Sequence, residues 1–331
     1  MTPGESLKVG IDVSPLRQTR AGTARYLDGL LPHLTRLVDV ERLAWGGGGR
    51  LTAAVRDAWW YPVALPRQAR NVDVLHCPSF RAPLRLRVPL VVTIHDVAVL
   101  RDPKAFNRWT ALYSYVTVPR VVRAATRVIA VSEFTKRELI DLLDVPEERI
   151  RVVPNAVGPP FVAEGPRAEG EYVLAVGTLE PRKNLPRLAE AARRAGVELR
   201  IAGARGWGDV QIGGDGVRFL GFVSDDELAR LYRGALCVAY ASLYEGFGIP
   251  VLEALACGAP VVTSEGTAMA EVADGAAVLV DPRDADAIAG GIREAIDRRG
   301  ELAPLGQARA RAFTWQASAE ATAAVYRELA P

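Results

Sequence analysis

Cysteine and histidine are scarce in this chain of 331 residues: only Cys77, Cys237 and Cys257, and His33, His76 and His95, occur. The cysteines are odd in number, far apart and each set in an apolar stretch, which points to buried free thiols and excludes a disulfide framework. With so few histidines and no paired-cysteine motif, a structural zinc site is not expected. Long hydrophobic runs are missing too, with no stretch of about 18 uninterrupted apolar residues. The opening MTPGESLKVGIDVS lacks the charged-then-apolar order of a secretory leader, so a cytosolic protein is expected. Net charge is only +2, and no nucleic-acid partner is expected.

What the sequence does have is core material, 49% hydrophobic, in a length that implies two domains. Its charge is uneven. Residues 1–160 carry 23 Lys and Arg against 15 Asp and Glu, a net of +8, whereas the remainder carries 18 against 24, a net of −6. Either the first half's arginines simply solvate its surface, or its basic face meets an anionic acceptor or, peripherally, a membrane.

Short β-branched runs alternate with helical stretches, the pattern of parallel βαβ units. Strands are expected over 7–13, 73–77, 89–96, 126–132 and 150–155, then over 172–177, 198–203, 217–221, 236–242, 259–264 and 276–281. Between the two sets, GPPFVAEGPRAEG (158–170) breaks both patterns with three prolines and three glycines and reads as a linker. The helical stretch 313–329 follows the second set and is expected to return to the first domain. The domains are thus 1–164 plus 313–331, and 165–312. WGGGGR (45–50) reads as a loop, since neither Walker nor Rossmann glycine spacing follows.

Four segments carry candidate chemistry. In YASLYEGFGIPVLEALACGAPVVTS (240–264) a strand ends, a glycine-containing loop follows, Pro250 opens a helix and Gly258 closes it. A helix start at a strand's carboxyl end favours an anion, and Glu245 and Glu253, eight positions apart, suit the hydroxyls of a sugar or ribose. In YVLAVGTLEPRKNLPRLAEA (172–191) the strand runs into Gly177, and Arg182 and Lys183 follow just before a helix, where adjacent cations can neutralise a diphosphate. In IDVSPLRQTRAGTARYLDGLLPHL (11–34), Gly22 and Thr23 lie in a strand-to-helix loop whose N–H groups can approach phosphate. VVTIHDVAVL (91–100) sets His95 and Asp96 at a strand end; His95 can bond a sugar hydroxyl, and Asp96 either fixes its tautomer or bonds nearby backbone. His76 reads as structural. Asp284 and Asp286 mimic an Asp-x-Asp metal motif, but their place after Pro282 reads as helix capping.

In this order the four segments resemble the retaining glycosyltransferases of family four, which have the α/β GT-B fold of two Rossmann-like domains with parallel sheets facing a central cleft. EGFGIPVLE looks like the family's Glu, seven residues, Glu motif, and VGTLEPRKN, VSEFTKREL and VVPNAV resemble the mannosyltransferase B-like subgroup. The resemblance implies that Arg182 and Lys183 hold the donor diphosphate, Glu253 the ribose and Glu245 the transferred sugar. Gly177, Thr178, Gly246, Phe247, Gly248, Ile249 and Leu252 would complete the donor site, Gly22 and Thr23 would meet the diphosphate, and His95 would meet the sugar near the reacting carbon. Two departures stand out: Thr178 occupies a position where many members carry arginine, and Ala24 stands where a second glycine is usual.

The implied reaction moves a hexose, with mannose from GDP-mannose favoured, to a hydroxyl acceptor such as a glycan, a lipid-linked saccharide or a small glycoside. It retains configuration and needs no metal or cofactor, the departing phosphate taking the acceptor's proton. An epimerase or phosphorylase of the same fold, or a silent sugar-nucleotide- or glycan-binding subunit, are the competing readings.

Overall fold

The computed structural model describes residues 7–18, 22–46, 52, 55–106, 108–206, 212 and 214–330. The opening residues 1–6 and the glycines of WGGGGR from position 47 onward lie outside them. The chain forms two units, one of residues 1–156 and 314–331, the other of residues 157–313. Among the described residues no helix is long and apolar enough to cross a membrane.

The first unit holds six parallel strands, β1 (Lys8–Asp12), β2 (Asp39–Leu43), β3 (Val74–Cys77), β4 (Leu90–Ile94), β5 (Arg127–Ala130) and β6 (Ile150–Val152), in the order β2-β1-β3-β4-β5-β6. Its interior strands read as apolar runs rather than alternations because helices cover both faces: Val9, Ile11, Val74, Val91 and Ile129 are wholly buried. Tyr26, Leu27, Leu30, Leu31 and Leu34 recur at helical spacing and form the buried face of α1 (Gly22–Leu34). The unit also contains α2 (Arg108–Ala124) and α3 (Glu133–Leu143), the latter capped by Ser132 Oγ accepting from Thr135 N at 3.0 Å.

The C-terminal helix, Trp315–Arg327, is part of this first unit. Ala319, Ala323 and Tyr326 enter the same core as α1, and the Trp315 ring lies so close to Gly29 that a Cβ there would stand 2.1 Å from it. Just beyond the helix, Glu328 accepts from Arg127 Nε at 3.1 Å and from Arg151 Nε at 2.9 Å, on β5 and β6.

The second unit's strands are β7 (Tyr172–Val176), β8 (Glu198–Ala202), β9 (Val217–Gly221), β10 (Cys237–Tyr240), β11 (Val261–Ser264) and β12 (Val278–Val280), parallel and ordered β12-β11-β10-β7-β8-β9. Strand order therefore reverses between β7 and β10, the switch point at which such sheets take ligands. The connections between strands carry α4 (Leu185–Ala195), α5 (Asp225–Gly234), α6 (Ile249–Ala256) and α7 (Ala268–Ala273), and α8 (Ala285–Asp297) and α9 (Arg299–Ala310) follow the last strand. Asp284 caps α8, its Oδ1 accepting from Asp286 N at 2.8 Å and Ala287 N at 3.2 Å. The three cysteines are free and buried.

Two sequence expectations need correction. Strand β2 was not foreseen: as an edge strand it keeps charged Asp39, Glu41 and Arg42 instead of an apolar run. The stretch 158–170 has no helix or strand, yet it is not a loose linker. Arg233 on α5, 6% exposed, donates to the carbonyls of Val162 at 3.1 Å and Pro166 at 2.8 Å, and Ala168 N donates to Arg230 O at 3.0 Å. Residues 157–164, expected with the first domain, consequently belong to the second unit.

His76 is completely buried, with Nδ1 2.6 Å from Tyr326 Oη and Nε2 2.8 Å from Thr93 Oγ1. Burial, reinforced by nearby His95, pushes its imidazole down to about 3. An unfolded histidine takes up its proton below about pH 6.5, whereas the folded one stays neutral, so this stabilisation is complete above 6.5 and is lost as pH falls toward 3. Compared by urea unfolding with His76→Gln, which cannot titrate, the wild-type protein should lose an extra 2.7 kcal/mol or so between neutral pH and about pH 4.5. A difference between the two that is constant with pH would show that His76 is not buried neutral.

Candidate functional site

The loops leaving β7 and β10, neighbours at the switch point, are stitched together by backbone. Leu243 N donates to Arg182 O at 2.8 Å, and Asn184 Nδ2 donates to Ala241 O at 3.0 Å and to Pro282 O at 2.6 Å. Asn184 takes a left-handed conformation, φ 58°, between the 3-10 turn Pro181–Lys183 and α4, a geometry asparagine tolerates better than most residues. This fixes where Arg182 and Lys183 point.

They point at Glu245. Lys183 Nζ donates to Glu245 Oε1 at 2.6 Å, and Arg182 Nη1 donates to Oε2 at 3.2 Å. Tyr240, the last residue of β10, accepts from Lys183 Nζ and donates to Glu245 Oε1 at 3.2 Å. Glu180 holds the other side of Arg182, accepting from Nε at 2.9 Å. All of this is largely out of water, with side-chain exposures of 11% for Lys183 and 10% for Glu245.

Burial opposes both charges, but proximity wins. Lys183 is held above the ordinary lysine value because Glu245 and Tyr240 outweigh desolvation, and Glu245 is held below the carboxylate range by Lys183 and Arg182 against the same penalty. Tyr240 is pushed up to about 12, mainly by burial and then by Glu245, and so stays a donor. The cluster thus presents two cations balanced by two carboxylates. An arriving dianion can replace Glu245 as the partner of Lys183 and Arg182 without leaving either cation desolvated and unpaired.

The glycine-containing loop continues from Glu245 into α6. Gly248 caps this helix at φ 96°, and a Cβ there would lie 2.6 Å from Met269 Cγ, so both backbone conformation and space demand glycine. Phe247 is buried edge-on to Phe313, with ring centroids 5.9 Å apart. Leu252 is fully buried and its N–H is bonded to Gly248 O, so its side chain belongs to the core. Ile249 is half-buried, Gly246 is buried, and Gly177 and Thr178 lie half-buried immediately beyond β7.

Glu253 is not part of the cation cluster. It sits in the second turn of α6, 3% exposed, where Oε2 accepts from Tyr232 Oη on α5 at 3.0 Å. In the first unit, Gly22 and Thr23 begin α1 rather than ending a loop. Gly22 is exposed, and a Cβ there would meet nothing within 4 Å. Ala24 is buried in the same first turn, where a side chain adds core contact. His95 Nε2 donates to the Pro78 carbonyl at 3.2 Å, and its ring stands edge-on to Tyr26 at 5.0 Å. Burial lowers the His95 value, with Asp96 and Pro78 opposing, so a neutral ring protonated on Nε2 is held in place. Asp96 Oδ1 bonds Ala98 N at 3.1 Å and leaves the tautomer to Pro78.

Sequence reasoning missed Tyr240, Glu180 and Asn184 as members of the cluster. Glu180 and Asn184 flank the Arg-Lys pair in LEPRKN, and an asparagine just before a helix was an available signal. Nothing local marks Tyr240, which joins the group only through strand order.

Residues 161–311 match the family described as Glycosyl transferases group 1, and residues 21–159 match Glycosyltransferase Family 4. The chain is 33% identical to the O-antigen chain mannosyltransferase B of Escherichia coli over 284 residues, 77% of this chain and 74% of that one. Its fold is similar to that of sucrose-phosphate synthase from Thermosynechococcus elongatus, with a TM-score of 0.78, 18% identity and coverage of 98% of this chain and 99% of that one. It is likewise similar to HepE of Anabaena in complex with UDP-glucose, with a TM-score of 0.72, 19% identity and coverage of 98% and 100%.

The Lys183–Glu245 geometry predicts strong coupling. Lys183→Met and Glu245→Gln should each destabilise the protein by about 3 kcal/mol, since each leaves a buried partner unbalanced, and the double variant should cost clearly less than the sum. Additive losses in denaturant unfolding would mean that the two groups do not depend on each other.

Proposed function

The chain belongs to the family 4 glycosyltransferases, of the mannosyltransferase type and on the α/β GT-B fold, and we propose that it transfers a mannosyl unit from GDP-mannose to a hydroxyl acceptor with retention and without a metal. The observation that carries this reading is the cluster of Arg182, Lys183 and Glu245 at the β7–β10 switch point. A nucleoside diphosphate sugar supplies both chemistries such a cluster can serve, a diphosphate for the cations and vicinal hydroxyls for the carboxylate. HepE, solved with UDP-glucose, supports a nucleotide-sugar donor, and the similarity to an O-antigen mannosyltransferase supports mannose.

In this mechanism the diphosphate takes Lys183 and Arg182 from Glu245, and the released carboxylate turns to the sugar hydroxyls. The two cations and the start of α6 then stabilise charge on the leaving phosphate, whose oxygen accepts the acceptor's proton as the glycosidic bond forms on the same face. Glu253, oriented by Tyr232, takes the ribose hydroxyls, and the backbone from Gly246 to Ile249 approaches the sugar and phosphates. A neutral His95 with its proton on Nε2 keeps Nδ1 as an acceptor suited to a sugar hydroxyl.

Calorimetry with GDP and GDP-mannose tests these roles. Lys183→Ala should weaken both ligands by about ten- to a hundredfold. Glu245→Gln should weaken GDP-mannose relative to GDP and bind bare GDP more tightly than the wild-type protein, because the carboxylate competing for Lys183 is gone. Glu253→Ala should weaken both ligands. Equal affinities for all variants would remove the donor site from this cluster. Transfer should also persist in excess EDTA; activity lost there and restored by Mg²⁺ would overturn the metal-free reading. For His95→Ala, turnover should fall far more than donor affinity.

A further inference from the structure

Tyr26 lies on the buried face of α1 and is completely out of water. It packs against Thr93 on β4 and against His95 just beyond the strand's end, two positions apart and so on the same side of the sheet. The Tyr26 hydroxyl stands 3.4 Å from Thr93 Oγ1, and its ring meets the His95 imidazole edge-on, with centroids 5.0 Å apart and planes at 76°. Trp315 of the C-terminal helix stands on the Tyr26 ring in turn, at 6.2 Å and 64°. The three rings form a row, with Tyr26 buried in the middle and the half-buried His95 at one end.

The Tyr26 hydroxyl also belongs to a directed chain of hydrogen bonds. Burial keeps the Tyr326 phenol protonated, and its hydroxyl bonds only His76 Nδ1 among the described residues, at 2.6 Å. Its proton is satisfied only by donating to that nitrogen, so the neutral His76 carries its own proton on Nε2 and donates to Thr93 Oγ1 at 2.8 Å. Thr93 therefore turns its hydroxyl proton away from His76, toward the Tyr26 oxygen. Tyr26 also bonds Thr322, which spends its proton on Ser318 O at 2.7 Å, and so Tyr26 is the donor to Thr322. The chain from Tyr326 through His76, Thr93 and Tyr26 to Thr322 begins and ends on the C-terminal helix, and all five residues are completely buried.

His95 has a single bond of its own, from Nε2 to the Pro78 carbonyl. One hydrogen bond leaves an imidazole free to swing about the axis of that bond, and the swing carries the Nδ1 lone pair with it. A ring edge packed against the imidazole removes this freedom. Tyr26 can do so because it is itself held at both ends, by hydroxyl bonds and by the Trp315 ring.

We propose that Tyr26 is the positioning residue of His95: its ring sets the tilt of the imidazole, and so the direction in which Nδ1 accepts from the sugar, while the C-terminal helix fixes Tyr26 through Trp315, Thr322 and the Tyr326–His76 bond. The part played in transfer rests on the reading of His95 as a sugar contact; the holding of the ring does not.

Turnover of GDP-mannose, with methyl α-mannoside offered as acceptor, and calorimetry with GDP-mannose test it. Tyr26→Leu should lower kcat by about ten- to a hundredfold, the scale of a misplaced group, and leave donor affinity unchanged. Tyr26→Phe, which keeps the ring, should recover most of that loss. Leu30→Ala, a cavity in the same helix and core, should lower stability in urea and leave kcat at the wild-type level, which separates positioning from a loosened core. In a His95→Ala background, Tyr26→Leu should lower kcat no further. A further loss there, or a Tyr26→Phe variant as slow as Tyr26→Leu, would overturn the proposal. NMR of the imidazoles reads the ring without any transfer: His95 should give one sharp set of ring signals in the wild-type protein and in Tyr26→Phe, and a broadened set in Tyr26→Leu. Ring signals unchanged in Tyr26→Leu would also overturn it. Broadening as expected, together with a His95→Ala variant that turns over like the wild-type protein, would instead refute the sugar contact of His95 and leave the holding of its ring standing.

Discussion

A carboxylate shared by two cations at the ends of two strands is the interaction on which the second unit's chemistry depends. Glu245 lets Lys183 and Arg182 remain charged out of water, and they in turn keep Glu245 ionised where burial alone would favour its neutral form. The cluster exists because the sheet order sets β7 beside β10, so that residues about sixty apart in sequence meet. The backbone bond from Leu243 to Arg182, and the Asn184 side chain bridging the loop after β10 to the one that holds Pro282, hold the geometry against relaxation. An assembly with internally balanced charge can wait empty without the instability that two naked buried cations would bring.

The first unit solves a different problem with neutral groups. His76 sits at its centre with both ring nitrogens engaged, one by Tyr326 of the C-terminal helix and the other by Thr93 of β4. His95, just beyond the end of β4, is tied to the Pro78 carbonyl. Two histidines in one unit, both lowered by burial, thus act as fixed dipoles rather than as charges. Cationic character in this unit is carried instead by arginine, which burial does not readily neutralise.

Much of the fold was legible because parallel strands covered on both faces are predominantly apolar, as LVVTI in β4 and YVLAV in β7 are. β2 was not, since an edge strand is under no such demand. Within the site, Arg182, Lys183 and Glu245 stand out by residue type beside glycine and helix starts, and the structure brings those three together. Tyr240 and the Glu253–Tyr232 contact were hidden, because each is a partnership across sequence that only strand and helix order creates. Leu252 shows what a motif leaves open: adjacency to it does not decide which face of a helix a side chain takes, and this side chain is buried.

The placement of Trp315–Arg327 in the first unit also sets an order of assembly. During synthesis the second unit, residues 157–313, is made before the helix that supplies Trp315 and Tyr326 to the first unit's core. Until then Gly29 faces an empty slot, and His76 lacks the Tyr326 hydroxyl that engages its Nδ1. The first-made part of the chain therefore completes its native packing only when the last-made helix arrives, and a chain lacking that helix exposes an open core to chaperones and proteases.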